Sequence, residues 1–350
     1  MSSKTFKTIV GLLLCVTLVD VVQAAPVQVR FSDWLVTCNN QRYCQTRNVG
    51  QHHGLVLSIS RSAGARGDMA LRIELGSLYA PSTRLPAIEG RLLLDGAPLE
   101  FNKKVWEITP HRLQTTDAFT ITTLVRTLAN GKNITLQNDQ ANIVLDGLQT
   151  ALMFIDTQQQ RNGNQSAWIQ TGNAPPSRVP PVPALAVVKT PASPVHPLNP
   201  QELSDLLDYG TWRMNNSQCS MDPGLREIRV SALTDDKALM MFSCESGAYN
   251  VVDQAWVTTR QKPFRAHRVH LRLPFDWDGQ NGEIELMNTD FDDATHELST
   301  LNKGRGFGDC GIASRWRYAG QQFSLVRLAA MPVCDGQQTY DAWPTLWVTN

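Results

Sequence analysis

PPSRVPPVPALAVVKTPASPVHPLNP, residues 175–200, decides how the rest of the chain is read. Its nine prolines remove backbone donors and hold φ near the polyproline value. The stretch therefore reads as a semi-rigid, extended linker and not as a helix or a strand. It separates residues 25–174 from residues 201–350. Each of these has the length of an ordinary domain, whereas the whole is longer than one core usually serves.

Upstream of the linker the pattern is mostly β. Leu55-Val56-Leu57-Ser58-Ile59-Ser60 and Ala70 to Leu75 are β-rich and partly alternating. Ile88 to Leu94 continues this and ends at Asp95-Gly96, a hairpin-turn pair. Phe119 to Leu128, Asn130-Gly131 and Asn133 to Leu136 predict a second hairpin. One helix is expected between Asn142 and Gln159, with Val144, Leu148, Ala151, Leu152 and Ile155 as its apolar stripe. Ala167 to Thr171 is expected to return as a strand.

Downstream, Asn199 suits an N-cap, Pro200 the first helical position and Glu202 a capping box, so a short helix through Tyr209 is predicted. Strands follow at Arg226–Ala232, Ala238–Cys244, Tyr249–Thr258, Arg268–Leu273, Glu283–Met287, Ala313–Tyr318 and Phe323–Leu328. The fold class expected is mainly β with minor α: two antiparallel β-sandwich or barrel-like domains joined by the Pro-rich linker.

The first residues read as a secretory signal peptide over residues 1–24. Lys4 and Lys7 supply positive charge, Ile9 to Val19 an apolar run, and Val22-Gln23-Ala24 a small-residue cleavage site. The run is about half the ~20 residues needed to span a bilayer, so the mature form is expected to carry no transmembrane segment and to work in the periplasm. Removing it discards Cys15 and leaves Cys38, Cys44, Cys219, Cys244, Cys310 and Cys334. An even set in an exported chain favours disulfides. Proximity and domain membership suggest Cys38–Cys44, Cys219–Cys244 and Cys310–Cys334, although six cysteines permit fifteen connectivities.

Chemistry is hard to find in these residues. No metal site is expected. There is no CxxC pair, and neither His52-His53 nor His267 with His270 has zinc-ligand spacing. Asp276 to Glu283 resembles a calcium loop, but its glycine falls at the seventh position and Met287 at the twelfth; an acidic hairpin explains the same residues. Asp290, Asp292 and Asp293 have no fixed separation that would make them an acid pair. There is no G-x-S-x-G elbow and no S-x-x-K pair in the mature chain, so no catalytic residue is assigned and no cofactor is implied. Residues 25–174 carry 14 Lys+Arg against 11 Asp+Glu, and residues 201–350 carry 14 against 20. Net charges of +3 and −6 give no basis for nucleic-acid binding.

Phe31-Ser32-Asp33-Trp34-Leu35-Val36-Thr37-Cys38, with Cys44 close behind, resembles the opening of invasion-associated locus B proteins. A fuller resemblance is to the proteobacterial periplasmic proteins grouped as domain of unknown function 1176. It rests on Ile155-Asp156, Gln159, Arg161, Ala167 and Gly172, and on Lys303-Gly304-Arg305-Gly306-Phe307-Gly308-Asp309-Cys310-Gly311 with Trp316, Phe323, Cys334 and Trp343-Pro344. Gln160 stands where the family pattern leads one to expect Gly. The resemblance implies an envelope location and no activity.

Two surfaces remain as leads. Four glycines between Gly304 and Gly311 make a sharp turn fixed by Cys310, or an anion cradle helped by Lys303 and Arg305. Trp256, Trp277, Trp316, Trp343 and Trp347 form either a core or, where exposed, contacts for sugar or protein. The binding candidates are Trp277, Asp278, Arg305, Phe307 and Trp343, all at predicted turns. The function expected is a non-enzymatic periplasmic binding or interaction module whose partner is an envelope protein or a cell-wall glycan. The alternatives are an inhibitor or immunity protein acting on a cell-wall or incoming hydrolase, and an envelope hydrolase.

Overall fold

The computed structural model describes residues 24–50, 54–76, 88–188, 194–277 and 282–350. The leader segment, His52-His53 and Asp278 with the middle of its acidic loop lie outside the described residues. Among those described, the chain is mainly β with three α-helices, its sheets are antiparallel, and none closes into a barrel.

In the first half, β1 (Val27–Phe31), β2 (Trp34–Cys38), β3 (Cys44–Asn48), β4 (Leu55–Arg61) and β5 (Met69–Leu75) lie side by side in chain order. Arg112–Thr115 and Glu107–Thr109 complete a seven-stranded sheet. Strand alternation sends Trp34, Val36, Leu57, Ile59, Leu71 and Ile73 into one core. That face is covered by α1 (Ala118–Leu128), α2 (Leu148–Gln158) and a small four-stranded sheet containing Leu92–Leu94. Asp95 and Gly96 both take positive φ, 50° and 87°, and make the hairpin that their pairing predicts.

Three expectations for this half are corrected. Phe119–Leu128 is not a strand but the body of α1. The Thr- and Val-rich sequence has β propensity, yet Asp117 caps Thr120 N–H at 2.8 Å, and Ile121, Val125 and Leu128 bury one face at helical spacing. The 142–159 segment divides into a strand, Asn142–Val144, and α2. Gly147 separates them at φ 87°, where an added Cβ would meet the backbone oxygen of Phe31. Ala167–Thr171 forms no strand, because the Asp156 carboxylate accepts the N–H groups of Trp168 and Ile169.

Asp156 belongs to a buried network. Arg61 donates to Asp156 and to Gln159, both at 2.6 Å, and its guanidinium lies 3.9 Å from the centre of the Trp168 ring. Arg161 donates to Gln159 and to Ser166. Burial lowers the Arg61 pKa to about 10, even with Asp156 beside it. These residues tie α2 to β4 and leave none of their chemistry at the surface.

The second half begins with α3 (Pro200–Asn215), whose Asn199–Glu202 capping box is fully formed. It runs past Tyr209 because Leu206, Gly210 and Met214 continue its buried stripe. A four-stranded sheet contains Ile228–Ala232, Lys237–Ser246, Val251–Thr259 and His267–Arg268. A five-stranded sheet contains Asp290–Asp292, Glu297–Lys303, Gly311–Tyr318, Phe323–Met331 and Thr345–Val348. The segments expected at Arg268–Leu273 and Glu283–Met287 supply only short pairs, such as Leu271–Arg272 with Glu283–Ile284.

The clusters define a stack. Met240 and Phe242 pack against α3, while Leu239 and Met241 on the same strand join Leu298, Trp316 and Leu328 of the five-stranded sheet. The other side of that sheet sends Ala329 and Met331 against Leu35 and Val49 of the first half. Phe323–Met331 therefore reads as a nearly unbroken apolar run because both its faces are covered. The Pro-rich segment also lies against the molecule: Ala186 bridges to Thr349, and Asn350 N–H donates to Ala186 at 3.0 Å. Cys38–Cys44, Cys219–Cys244 and Cys310–Cys334 are bonded.

Candidate binding site

The second face of the seven-stranded sheet is only partly covered. Leu35 and Val49 pack under the second half, but the middle of β3, β4 and β5 faces a trough of about 280 Å³. Register explains its shape. Gln45, Ser60 and Ala70 lie in one cross-strand row, and Arg47, Ser58 and Arg72 in the next. Small side chains at the centre and long ones at the rim leave a hollow in an otherwise filled sheet face.

The opposite wall is the strap Cys334–Trp343, held from two sides over its first five residues. Arg47 donates to Asp335 at 2.9 Å and to Gln338 at 3.0 Å, and Gln338 donates onward to Glu74 at 2.6 Å. From the other side, the Asp309 carboxylate accepts Gly336 N–H at 2.7 Å and Arg305 Nε–H at 2.7 Å, and Cys310–Cys334 closes the link covalently. Asn40 and Val348 exchange two hydrogen bonds, each 2.9 Å, which extends the seam toward the chain end.

Burial sets the electrostatics of this clamp. Desolvation pushes the Asp335 carboxyl up and the Arg47 guanidinium down, against the attraction between them. Asp309 differs. Burial pushes it up, but the bonds from Arg305 and Gly336 outweigh that and hold it below the usual carboxylate range. The pair is therefore a structural brace.

The trough itself is less engaged. Among the described residues, no hydrogen bond is made by the side chains of Tyr43, Gln45, Ser58 or Ser60. Among the described residues Arg72 pairs only with Glu74, at 3.9 Å. The arrangement offers hydroxyl and amide donors and acceptors with balanced charge, groups that can hydrogen-bond a polar ligand.

The structure places the candidates read from sequence in different surroundings. Phe307 is 73% exposed on the loop between Lys303 and Gly311, 5.6 Å from the Arg305 guanidinium. Arg305 braces that loop through Asp309, and Tyr249 donates to Gly304 O at 3.0 Å. Trp343 is 2% exposed, packs with Leu35 and Met331, and lines the trough beside the strap. Trp277 is half-buried against the core of the second half. Trp256, Trp316 and Trp347 are buried, the core alternative. Asp290 and Asp292 sit on a strand beside a turn, where Asp292 accepts from Ala294 N–H. Asp309, Cys310 and Cys334 lie close enough for a metal, but the two sulfurs are bonded to each other and the carboxylate is engaged.

Comparison with known proteins assigns the chain to a family. The family described as "Protein of unknown function (DUF1176)" matches residues 28–350. The chain belongs to the DUF1176 family. This DUF1176 protein is similar to "Uncharacterized protein YpfG" of Escherichia coli (strain K12), 54% identical over 331 residues that cover 95% of each chain. No solved structure matches the DUF1176 chain. Of the residues quoted from sequence, Asp156, Gln159 and Arg161 fall in the buried Arg61 network, Arg305, Asp309, Cys310 and Cys334 in the clamp, and Trp316 and Phe323 in the core.

Tyr43, Gln45, Ser58, Ser60 and Arg72 were not singled out from sequence. Their signal is present in the alternation of β4, where Leu55, Leu57 and Ile59 face the core and Val56, Ser58 and Ser60 face outward. Nothing local shows that the strap, almost 300 residues later, forms the facing wall.

Proposed function

We propose that this chain is an exported, non-catalytic binding protein of the periplasm, and that the trough between the sheet and the strap is where it takes its ligand. The observation that carries this reading is the set of unengaged hydroxyl and amide side chains in a concave seam held open by a braced wall. Such seams between packed units are preferred ligand sites. Three disulfides fit an exported protein, and no helix among the described residues is long and apolar enough to cross a membrane. Removal of residues 1–24 and the division at 175–200 belong to the same proposal. So does the choice between an envelope protein and a cell-wall glycan as partner.

Filling the hollow tests it. Ser60→Tyr places a ring in the trough without touching the brace. Envelope extract passed over immobilised oxidised protein should leave a component on the wild type that the variant does not retain. Equal retention by both sinks the trough as the site.

A second reading rests on Phe307. An exposed aromatic on a loop held by a disulfide, an ion pair and Tyr249 is pre-organised to enter a cleft in another protein, as an inhibitor of a hydrolase would. Phe307→Ala abolishing capture of a hydrolase, with Ser60→Tyr harmless, would favour this reading over the first.

A further inference from the structure

Beyond the trough, on the far side of Tyr43, lies a second depression of about 500 Å³. Tyr43 lines both. The two hollows share one sheet face. Along β4 and its continuation, Val56, Ser58 and Ser60 line the first and Ser62 the second. On β5, Arg72 and Ala70 line the first, and Asp68, just ahead of the strand, the second. On the far wall Trp343 gives way to Thr345 and Val348. The hollows are successive stretches of one groove. From Val56 to Ser62 at ~3.3 Å per residue, it runs ~20 Å along the strands, enough for a chain of units and more than one small ring needs.

The platform at its middle is rigid. Tyr43 is 36% exposed and stands beside Cys44, whose disulfide to Cys38 closes the hairpin end. Asn39 Oδ1 accepts N–H groups from Gln41 and Tyr43, at 2.9 and 3.0 Å, and Asn39 N–H donates to Tyr43 O at 3.0 Å. Cys44 faces the core, so alternation sends the Tyr43 ring to the groove side.

We infer that this groove binds a linear, uncharged oligosaccharide, with the Tyr43 ring as the stacking platform between two sets of sugar units. The inference rests on the trough being the ligand site, and it names the ligand class. Three features select it. The strands beneath the trough are each paired on both sides, so main-chain groups are already used, and an extended peptide cannot add as a strand. The trough floor offers side chains, among them the hydroxyls and amide of Ser58, Ser60 and Gln45 that match sugar hydroxyls, beside the flat face of Tyr43 and opposite Trp343. Its charges balance, with Arg72 and Arg66 against Glu74 and Asp68, so a polyanion gains little.

The test is calorimetric titration of the oxidised chain from Ala25 onward with N-acetylchitotetraose and maltotetraose, and with tetra-alanine as the peptide probe. At least one saccharide is expected to bind. Tyr43→Ala should weaken it by about tenfold, Tyr43→Phe by about twofold or less, and Ser60→Tyr should abolish it. Circular dichroism and intact disulfides establish that each variant is folded. Saccharide binding untouched by Tyr43→Ala and Ser60→Tyr overturns the inference, because it places the sugar elsewhere. Tetra-alanine binding lost in Ser60→Tyr, with no saccharide bound, overturns the ligand class and leaves the trough standing. No binding of either saccharide at millimolar concentration overturns the inference outright.

Discussion

At the scale of single residues, the molecule uses buried charge as a fastener. Arg47 and Asp335 are both almost wholly buried, and each shifts in the direction desolvation dictates. Removing one partner leaves the other uncompensated, which costs more than the net worth of the pair. Arg47→Ala is accordingly expected to destabilise the fold by about 3–5 kcal/mol in denaturant titration. Asp309 acts in the opposite sense to Asp335. Its folded-state value is lowered, so its contribution is fully present above the ordinary carboxylate value of about 3.9 and is lost as pH falls through the folded-state value. The contribution of Asp335, whose value is raised, is present below the ordinary value and lost as pH rises through the folded-state one. Urea midpoints of Asp309→Asn and wild type should therefore differ at pH 6 and converge as pH drops below about 4. A gap that stays constant across that range would show that the carboxylate charge at Asp309 does not carry the brace.

At the scale of elements, local chemistry and tertiary context compete, and each wins in places. The Asn199–Glu202 capping box and the Asp95-Gly96 hairpin are set by neighbours within a few residues, and both form as their sequences predict. The three disulfide pairs follow chain proximity in the same way. Phe119–Leu128 shows the other outcome. Its Thr and Val residues favour a strand, but a cap at Asp117 and an apolar stripe against the β5 layer hold it helical. Asp117→Ala should lower the urea midpoint, with helix signal lost ahead of the global transition. A variant as stable as wild type would mean that packing alone sets this helix. Ala167–Thr171 was misread for a related reason. A side chain eleven residues before Ala167 takes the donors that a strand would have used.

At the scale of the whole molecule, the stack of sheets creates a trough that neither half contains. The seven-stranded sheet buries one face under α1 and α2, and part of the other under the five-stranded sheet. What remains open is floored by small polar residues and walled by a strap from the far end of the chain. The mainly β character and many of the strand patterns were legible. The seam was not, because it depends on Arg47 meeting Asp335 across 288 positions. The glycine-rich stretch Gly304 to Gly311 braces that wall through Asp309, with Phe307 left exposed on the loop. Hydrogen–deuterium exchange of the oxidised chain, with and without N-acetylchitotetraose or the retained envelope component, tests the claim most directly. Protection is expected in the segments bordering the groove, residues 39–43, 62–68 and 336–345, and not in residues 304–308 or 267–277. Protection confined to those last two segments, or absent throughout with ligand demonstrably bound, would contradict the account.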